Sequence, residues 1–154
     1  MANITYLVMD VDGTLTDGKI YMGEHGEIMK AFDIKDGYGI RNLLPPNNII
    51  PVVITGRKSN IVLNRCNEPG IQYVFQGVED KIAQLYKLIK QLWEIAYIGD
   101  DINDLFCMER VKEAGGLIGC PFDAVDSVRK ISDYVAIRKG GNGAVRDFIE
   151  WLTP

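Results

Sequence analysis

Six short apolar runs, at residues 6–9, 49–54, 73–75, 95–98, 116–118 and 134–135, alternate along the chain with stretches of helical periodicity. The helical stretches fall at about 38–44, 59–67, 80–91, 102–110, 124–131 and 143–152. Strictly alternating strand and helix predicts an α/β, Rossmann-like, doubly wound and mostly parallel sheet, because parallel neighbours need a crossover and helices fill it on both faces. With 154 residues and no linker or repeat, residues 1–154 are expected to form one domain. The one departure from alternation is a pair of short runs around Gly23-Glu24-His25-Gly26, which reads as a small β-hairpin flap next to the first strand.

The first strand stops at Asp10, and Asp12 follows just before Gly13, so two carboxylates occupy the carboxyl end of a buried strand. That edge is where open α/β sheets bind ligands. Two carboxylates about 4 Å apart repel by roughly 1 to 4 kcal/mol, and a hard cation such as magnesium removes the penalty. Three further segments lie at strand or helix ends. Thr55 and Gly56 offer a hydroxyl and an open backbone N–H for a phosphate oxygen. Lys81 opens a helix, where its charge opposes the macrodipole, so its position asks for a functional reason. Gly99-Asp100-Asp101-Ile102-Asn103-Asp104 packs three acids and an amide into one loop, and helix capping accounts for one acid only. Taken singly, these segments also fit an acidic turn, a plain loop and a solvated lysine.

Together, Asp10-Val11-Asp12-Gly13-Thr14, Thr55-Gly56-Arg57, Asp80-Lys81 and the Gly99–Asp104 loop resemble, in order and placement, the haloacid dehalogenase superfamily. The resemblance implies that Asp10 is a nucleophile toward phosphorus and Asp12 an acid and base. It implies that Lys81 screens charge, and that Asp10, the backbone carbonyl of Asp12 and Asp100 bind Mg2+. Asp104 is expected to orient Lys81 or its loop. An aspartate at position 12, where ion-pumping relatives carry threonine, implies turnover to free phosphate.

Neither the stretch from Asp12 to Thr55 nor that from Thr55 to Lys81 has room for a cap domain. Longer matches, including Lys35-Asp36-Gly37-Tyr38-Gly39-Ile40, Phe75-Gln76-Gly77-Val78-Glu79-Asp80-Lys81 and Gly140-Gly141-Asn142-Gly143-Ala144-Val145-Arg146, resemble the capless 3-deoxy-D-manno-octulosonate 8-phosphate phosphatase family. The resemblance implies a homotetramer whose subunits cover each other's sites and a phosphorylated 2-keto-3-deoxy sugar acid as substrate. Arg57 and Arg65 match substrate-contacting positions, and Asn103 joins Thr55 and Gly56 as a candidate phosphate or substrate contact. Arg57 favours the eight-carbon acid over nine-carbon nonulosonate 9-phosphates, whose phosphatases look more acidic there. A noncatalytic assembly domain, like those fused to sialic acid cytidylyltransferases, and a signalling receiver domain are the rivals. Retained acids and Lys81 argue against the first, and the contiguous DxD against the second. The Pro45-Pro46-Asn47-Asn48 and Asn67-Glu68-Pro69 segments, the short span from Lys81 to Asp100 and the brief tail depart from the family pattern.

Composition, 47% hydrophobic and 25% charged, is ordinary for a soluble globular protein. Formal charge is -4 with no basic run, which disfavours nucleic acid and anionic membrane as partners. Three cysteines without CxxC spacing predict reduced thiols, and the lone His25 leaves no serine-histidine triad. Met1-Ala2-Asn3-Ile4 runs into the first strand with no leader-like segment, so a cytoplasmic location is expected.

Overall fold

The computed structural model of the protein describes residues 3–154; Met1 and Ala2, the start of the stretch read as lacking a leader, lie outside the described residues. Its centre is a six-stranded sheet in the order β5-β4-β1-β6-β7-β8. These strands are β1 (Tyr6–Met9), β4 (Ile50–Ile54), β5 (Tyr73–Phe75), β6 (Ile95–Ile98), β7 (Leu117–Cys120) and β8 (Tyr134–Val135), all paired in parallel. A separate antiparallel pair, β2 (Tyr21–Gly23) and β3 (Gly26–Met29), forms the expected flap with His25 at its tip. The α-helices among the described residues are α1 (Ile34–Asn42), α2 (Asn60–Asn67), α3 (Lys81–Leu88), α4 (Ile102–Glu113), α5 (Asp126–Ile131) and α6 (Ala144–Leu152).

Strand side chains alternate between faces, and the core divides accordingly. Leu7 and Met9 of β1 pack with Ile40, Val62 and Phe148, which places α1, α2 and α6 on one face. Val8 packs with Leu85, Met108 and Val128, which places α3, α4 and α5 on the other. The chain winds outward from β1 to β4 and β5, then returns across it to β6, so β1 lies at the topological switch point. Met9 is in register with Val53 and with Ile98. The residues that follow those three strands therefore emerge side by side at one sheet edge. Among the described residues there is no cap domain.

Several boundaries differ from the sequence expectation. Helix α1 begins at Ile34, not near Tyr38, because Asp33 caps it by accepting from Lys35 N at 2.7 Å. Gly37 and Gly39 are close-packing sites within the helix. A Cβ at Gly37 would lie 2.3 Å from Arg65 Nη2, and one at Gly39 3.0 Å from Arg146 Cδ. Pro45 and Pro46 belong to a separate 3-10 turn after the helix has ended at Asn42. Helix α3 stops at Leu88, and Leu92 lies in a following 3-10 turn. Pro51 sits inside β4 without loss: Ile50 N donates to Thr5 O on the β1 side, and pairing with β5 begins only at Val52.

Candidate active site

The loop after β1 is held by its own backbone. Val11 O accepts from the N–H groups of Thr14, Leu15 and Thr16 at 3.1, 2.9 and 3.0 Å, and the Thr16 hydroxyl accepts from Gly13 N at 3.1 Å. The Gly140-Gly141 segment packs directly behind this loop, with Gly141 N donating to Thr14 O at 3.2 Å. Its glycines are needed there, since a Cβ on Gly141 would lie 2.3 Å from Asp17 N. Asp10 is thereby fixed in the sheet edge, 3% exposed.

Lys81, the first residue of α3, reaches the same spot from the other side of the sheet's switch point. Its Nζ lies 2.8 Å from Asp10 Oδ1 and 2.7 Å from Asp104 Oδ1. Asp104 is fully engaged, as its Oδ1 also accepts from Tyr97 OH at 2.7 Å and its Oδ2 from Asp100 N at 3.1 Å. These donors hold the Asp104 carboxylate in place, and it in turn fixes the Lys81 ammonium. Asp101 caps α4, accepting from Ile102 N at 2.7 Å, in a capping box with Asp104. Asp100 is left to face Asp10, with the Thr14 hydroxyl donating to its Oδ1 at 3.2 Å.

Negative charge exceeds positive charge here. Burial, followed by the Asp104 charge, lifts the Asp10 carboxyl to about 6 against the opposing pull of Lys81. Burial and then the Asp10 charge lift Asp100 to about 8. Desolvation pulls Lys81 down, but the Asp10 and Asp104 charges more than offset it and raise its value above the ordinary one. Carboxylate oxygens of Asp10, Asp100 and Asp104 lie within 4.8 Å of one another. Hard, oxygen-rich and short of positive charge, this donor set fits a divalent cation such as magnesium.

A groove of about 290 Å³ opens over these groups and is lined by Asp10, Asp12, Thr55, Gly56, Arg57, Asp101 and Asn103. Of the residues singled out in the sequence, Asp10, Asp12, Thr55, Gly56, Arg57 and Asn103 thus share one opening, with Lys81 and Asp100 against Asp10. Arg65 is the exception and does not line this groove in its own chain. It pairs with Glu68 at 2.6 Å, donates to Asp33 O at 3.3 Å and lines a separate pocket with Phe32, Asp36 and Gly37. The side of α2 that carries it faces α1, away from the groove of its own chain.

Three groups escaped sequence reasoning. Tyr97 looks like a core aromatic of a buried strand, yet its hydroxyl binds Asp104. Lys30 and Glu27, on the flap, extend the charged network to Asp12 and Arg57. Only the expectation that the flap stands beside Asp12 hinted at them.

Protein-family models give no match to the chain. The chain is 43% identical over 154 residues to the 3-deoxy-D-manno-octulosonate 8-phosphate phosphatase KdsC of Salmonella typhi, covering 97% of this chain and 79% of that protein. Its fold matches the crystal structure of the Moraxella catarrhalis 3-deoxy-D-manno-octulosonate 8-phosphate phosphatase in complex with magnesium, phosphate and KDO. There the TM-score is 0.89 at 38% identity, covering 98% of this chain and 86% of that one. A haloacid dehalogenase superfamily (subfamily III A) hydrolase from Legionella pneumophila matches with a TM-score of 0.86 at 35% identity, over 97% of this chain and 81% of that one.

Proposed function

Because the chain belongs to the 3-deoxy-D-manno-octulosonate 8-phosphate phosphatase family of the haloacid dehalogenase superfamily, we propose a residue-level mechanism for it. It is a magnesium-dependent phosphomonoester hydrolase, and its substrate is 3-deoxy-D-manno-octulosonate 8-phosphate. The observation that carries the mechanism is Lys81 Nζ at 2.8 Å from Asp10 Oδ1, two buried charges brought together from distant parts of the chain at the sheet's switch point.

In the first step an Asp10 carboxylate oxygen bonds to phosphorus as the bond from phosphorus to the sugar oxygen breaks, and Asp12 gives its proton to that leaving oxygen. In the second, Asp12 takes a proton from water as the water oxygen bonds to phosphorus and the bond from phosphorus to the Asp10 oxygen breaks, releasing phosphate and the free Asp10 carboxylate. Thr55 and the Gly56 N–H hold phosphoryl oxygens, and Arg57 and Asn103 at the groove rim meet the sugar acid. Lys81 keeps Asp10 ionised and aimed, and Asp104 with Tyr97 holds Lys81. Magnesium, when bound by Asp10, Asp100 and the backbone carbonyl of Asp12, supplies neutralising charge to the phosphoryl oxygens.

We further propose that residues 1–154 act as one hydrolase domain in a homotetramer. Exposed Ile20, Met22, Ile28 and Met29 on the flap support an intersubunit contact, since an isolated hairpin with so much apolar surface is marginal alone. In that assembly Arg65 would serve a neighbouring subunit's groove. A cytoplasmic location is in keeping with free, buried Cys66, Cys107 and Cys120.

A phosphate-release assay over the eight-carbon 8-phosphate and nine-carbon 9-phosphates, with and without magnesium, tests this reading. Magnesium-dependent release with the eight-carbon acid preferred is expected, and Asp10→Asn should lower it by at least about 10³-fold. Equal release from Asp10→Asn would remove Asp10 from its role.

A further inference from the structure

The two catalytic aspartates each have a lysine, and only Lys81 has a part in the mechanism above. Lys30, just past the end of β3, places its Nζ 2.5 Å from Asp12 Oδ1. Its side chain is 1% exposed although it stands on a flap whose neighbouring Ile28 and Met29 face solvent. Glu27 braces the ammonium from the same strand, at 3.1 Å through Oε1 and 3.2 Å through Oε2, and itself lies 3.7 Å from Arg57 Nη2. Among the described residues, Lys30 is the side chain that Asp12 bonds to. A chain of charge therefore runs from Asp12 through the flap to the Thr55-Gly56-Arg57 loop.

Burying an ammonium between two carboxylates is a poor way to pin a hairpin, because a well-packed apolar side chain does so without the desolvation cost. It is a good way to fix a carboxyl. We propose that Lys30 is a positioning residue for the hydrolysis: its ammonium holds Asp12 by Oδ1, which leaves Oδ2 as the oxygen that carries the proton to the leaving group. In the first step the bond from Asp10 to phosphorus forms, the bond to the leaving oxygen breaks, and the Oδ2 proton ends on that oxygen as an alcohol. Without Lys30 the Asp12 carboxyl swings free in the groove and the proton is misplaced. The flap then contributes to chemistry as well as covering. The inference rests on the assignment of Asp12 as acid and base.

The test exploits leaving-group chemistry. An alkyl phosphate such as the sugar acid ester needs a proton on its leaving oxygen, whereas 4-nitrophenyl phosphate leaves as a stable phenolate. Single-turnover rates of phosphoryl transfer are measured for both with saturating magnesium. Lys30→Met should slow transfer from the alkyl ester by about 10²-fold. Transfer from 4-nitrophenyl phosphate should slow by less than about fivefold, with KM for either within about threefold. Lys30→Arg, keeping a cation at Oδ1, should recover at least about tenfold of the alkyl loss, and Glu27→Gln should show the same selective pattern more weakly. Thermal unfolding checks that each variant folds, and if Lys30→Met does not, the Arg and Gln variants carry the comparison. Equal losses on the two substrates, or a change in KM alone, overturn the assignment of Lys30. A wild-type chain that releases no phosphate from either ester overturns the enzymatic reading itself.

Discussion

Gly13 adopts φ 90°, and a Cβ there would lie 2.0 Å from Asp100 Oδ2. Gly13→Ala therefore combines left-handed backbone strain with displacement of a carboxyl facing Asp10, and cannot relax without moving one or the other. Phosphate release should fall by at least about 10²-fold, with a loss of roughly 1–3 kcal/mol in urea unfolding. An active, fully stable alanine variant would mean that the loop is far softer than its hydrogen bonds indicate. Asp36 poses the opposite case, a buried acid away from the groove. Its Oδ1 accepts from Arg146 N at 2.8 Å and so caps α6 from α1, while Oδ2 has no partner among the described residues. Burial, partly opposed by the Arg146 N–H, lifts its carboxyl to about 7. The folded chain thus keeps a proton that the unfolded chain loses near pH 4. The contribution is fully present below pH 4 and fades as pH rises toward 7, by on the order of 3 kcal/mol. With magnesium saturating, Asp36→Asn should flatten the fall in urea midpoint between pH 5 and 7; an unchanged slope would show that Asp36 ionises freely. Both residues stand inside motifs that are plain in the sequence. What the sequence conceals is the partner, because Asp36 meets Arg146 and Lys30 meets Asp12 only after distant elements have docked.

At the scale of elements, strands were the most legible, since short β-branched runs ending in acids or Thr-Gly have few other uses. Helix starts were less so. The first helix is expected only from about residue 38, yet capping by Asp33 and packing of Gly37 against Arg65 start it at Ile34. The flap was legible from Gly23 and Gly26 around an unpaired tip, but its register was not, and the register aims Lys30 at the groove. Its exposed apolar side chains belong to an element with too little core of its own. Met22→Lys with Ile28→Lys should shift the molar mass measured by light scattering from oligomer toward monomer and leave the far-UV circular dichroism unchanged. Wild-type chains that already run as monomers would remove the flap from any intersubunit role.

For the whole molecule, the parallel register of β4, β1 and β6 concentrates the charges of three separate loops at one edge, so folding itself assembles an electrostatic debt around Asp10 and Asp100. The convergence was legible because each loop follows a strand; the burial that shifts the two carboxyls was not, since it depends on every layer packing at once. Both carboxyls titrate above their unfolded value of 3.8, at about 6 and about 8. In chelator the folded state therefore retains protons that the unfolded chain has released, and stability falls as pH climbs from about 4 through about 8. Magnesium binds the ionised, folded site and reverses that loss, so its stabilising effect should grow with pH across the same window. At a hundredfold excess over the dissociation constant, the unfolding temperature near pH 8 should rise by roughly 5–10 °C, with a much smaller rise at pH 5. Asp100→Asn should remove most of that rise while making the metal-free chain less sensitive to pH. A magnesium shift that is the same at both pH values, or survives Asp100→Asn intact, would place the cation somewhere other than between these two acids.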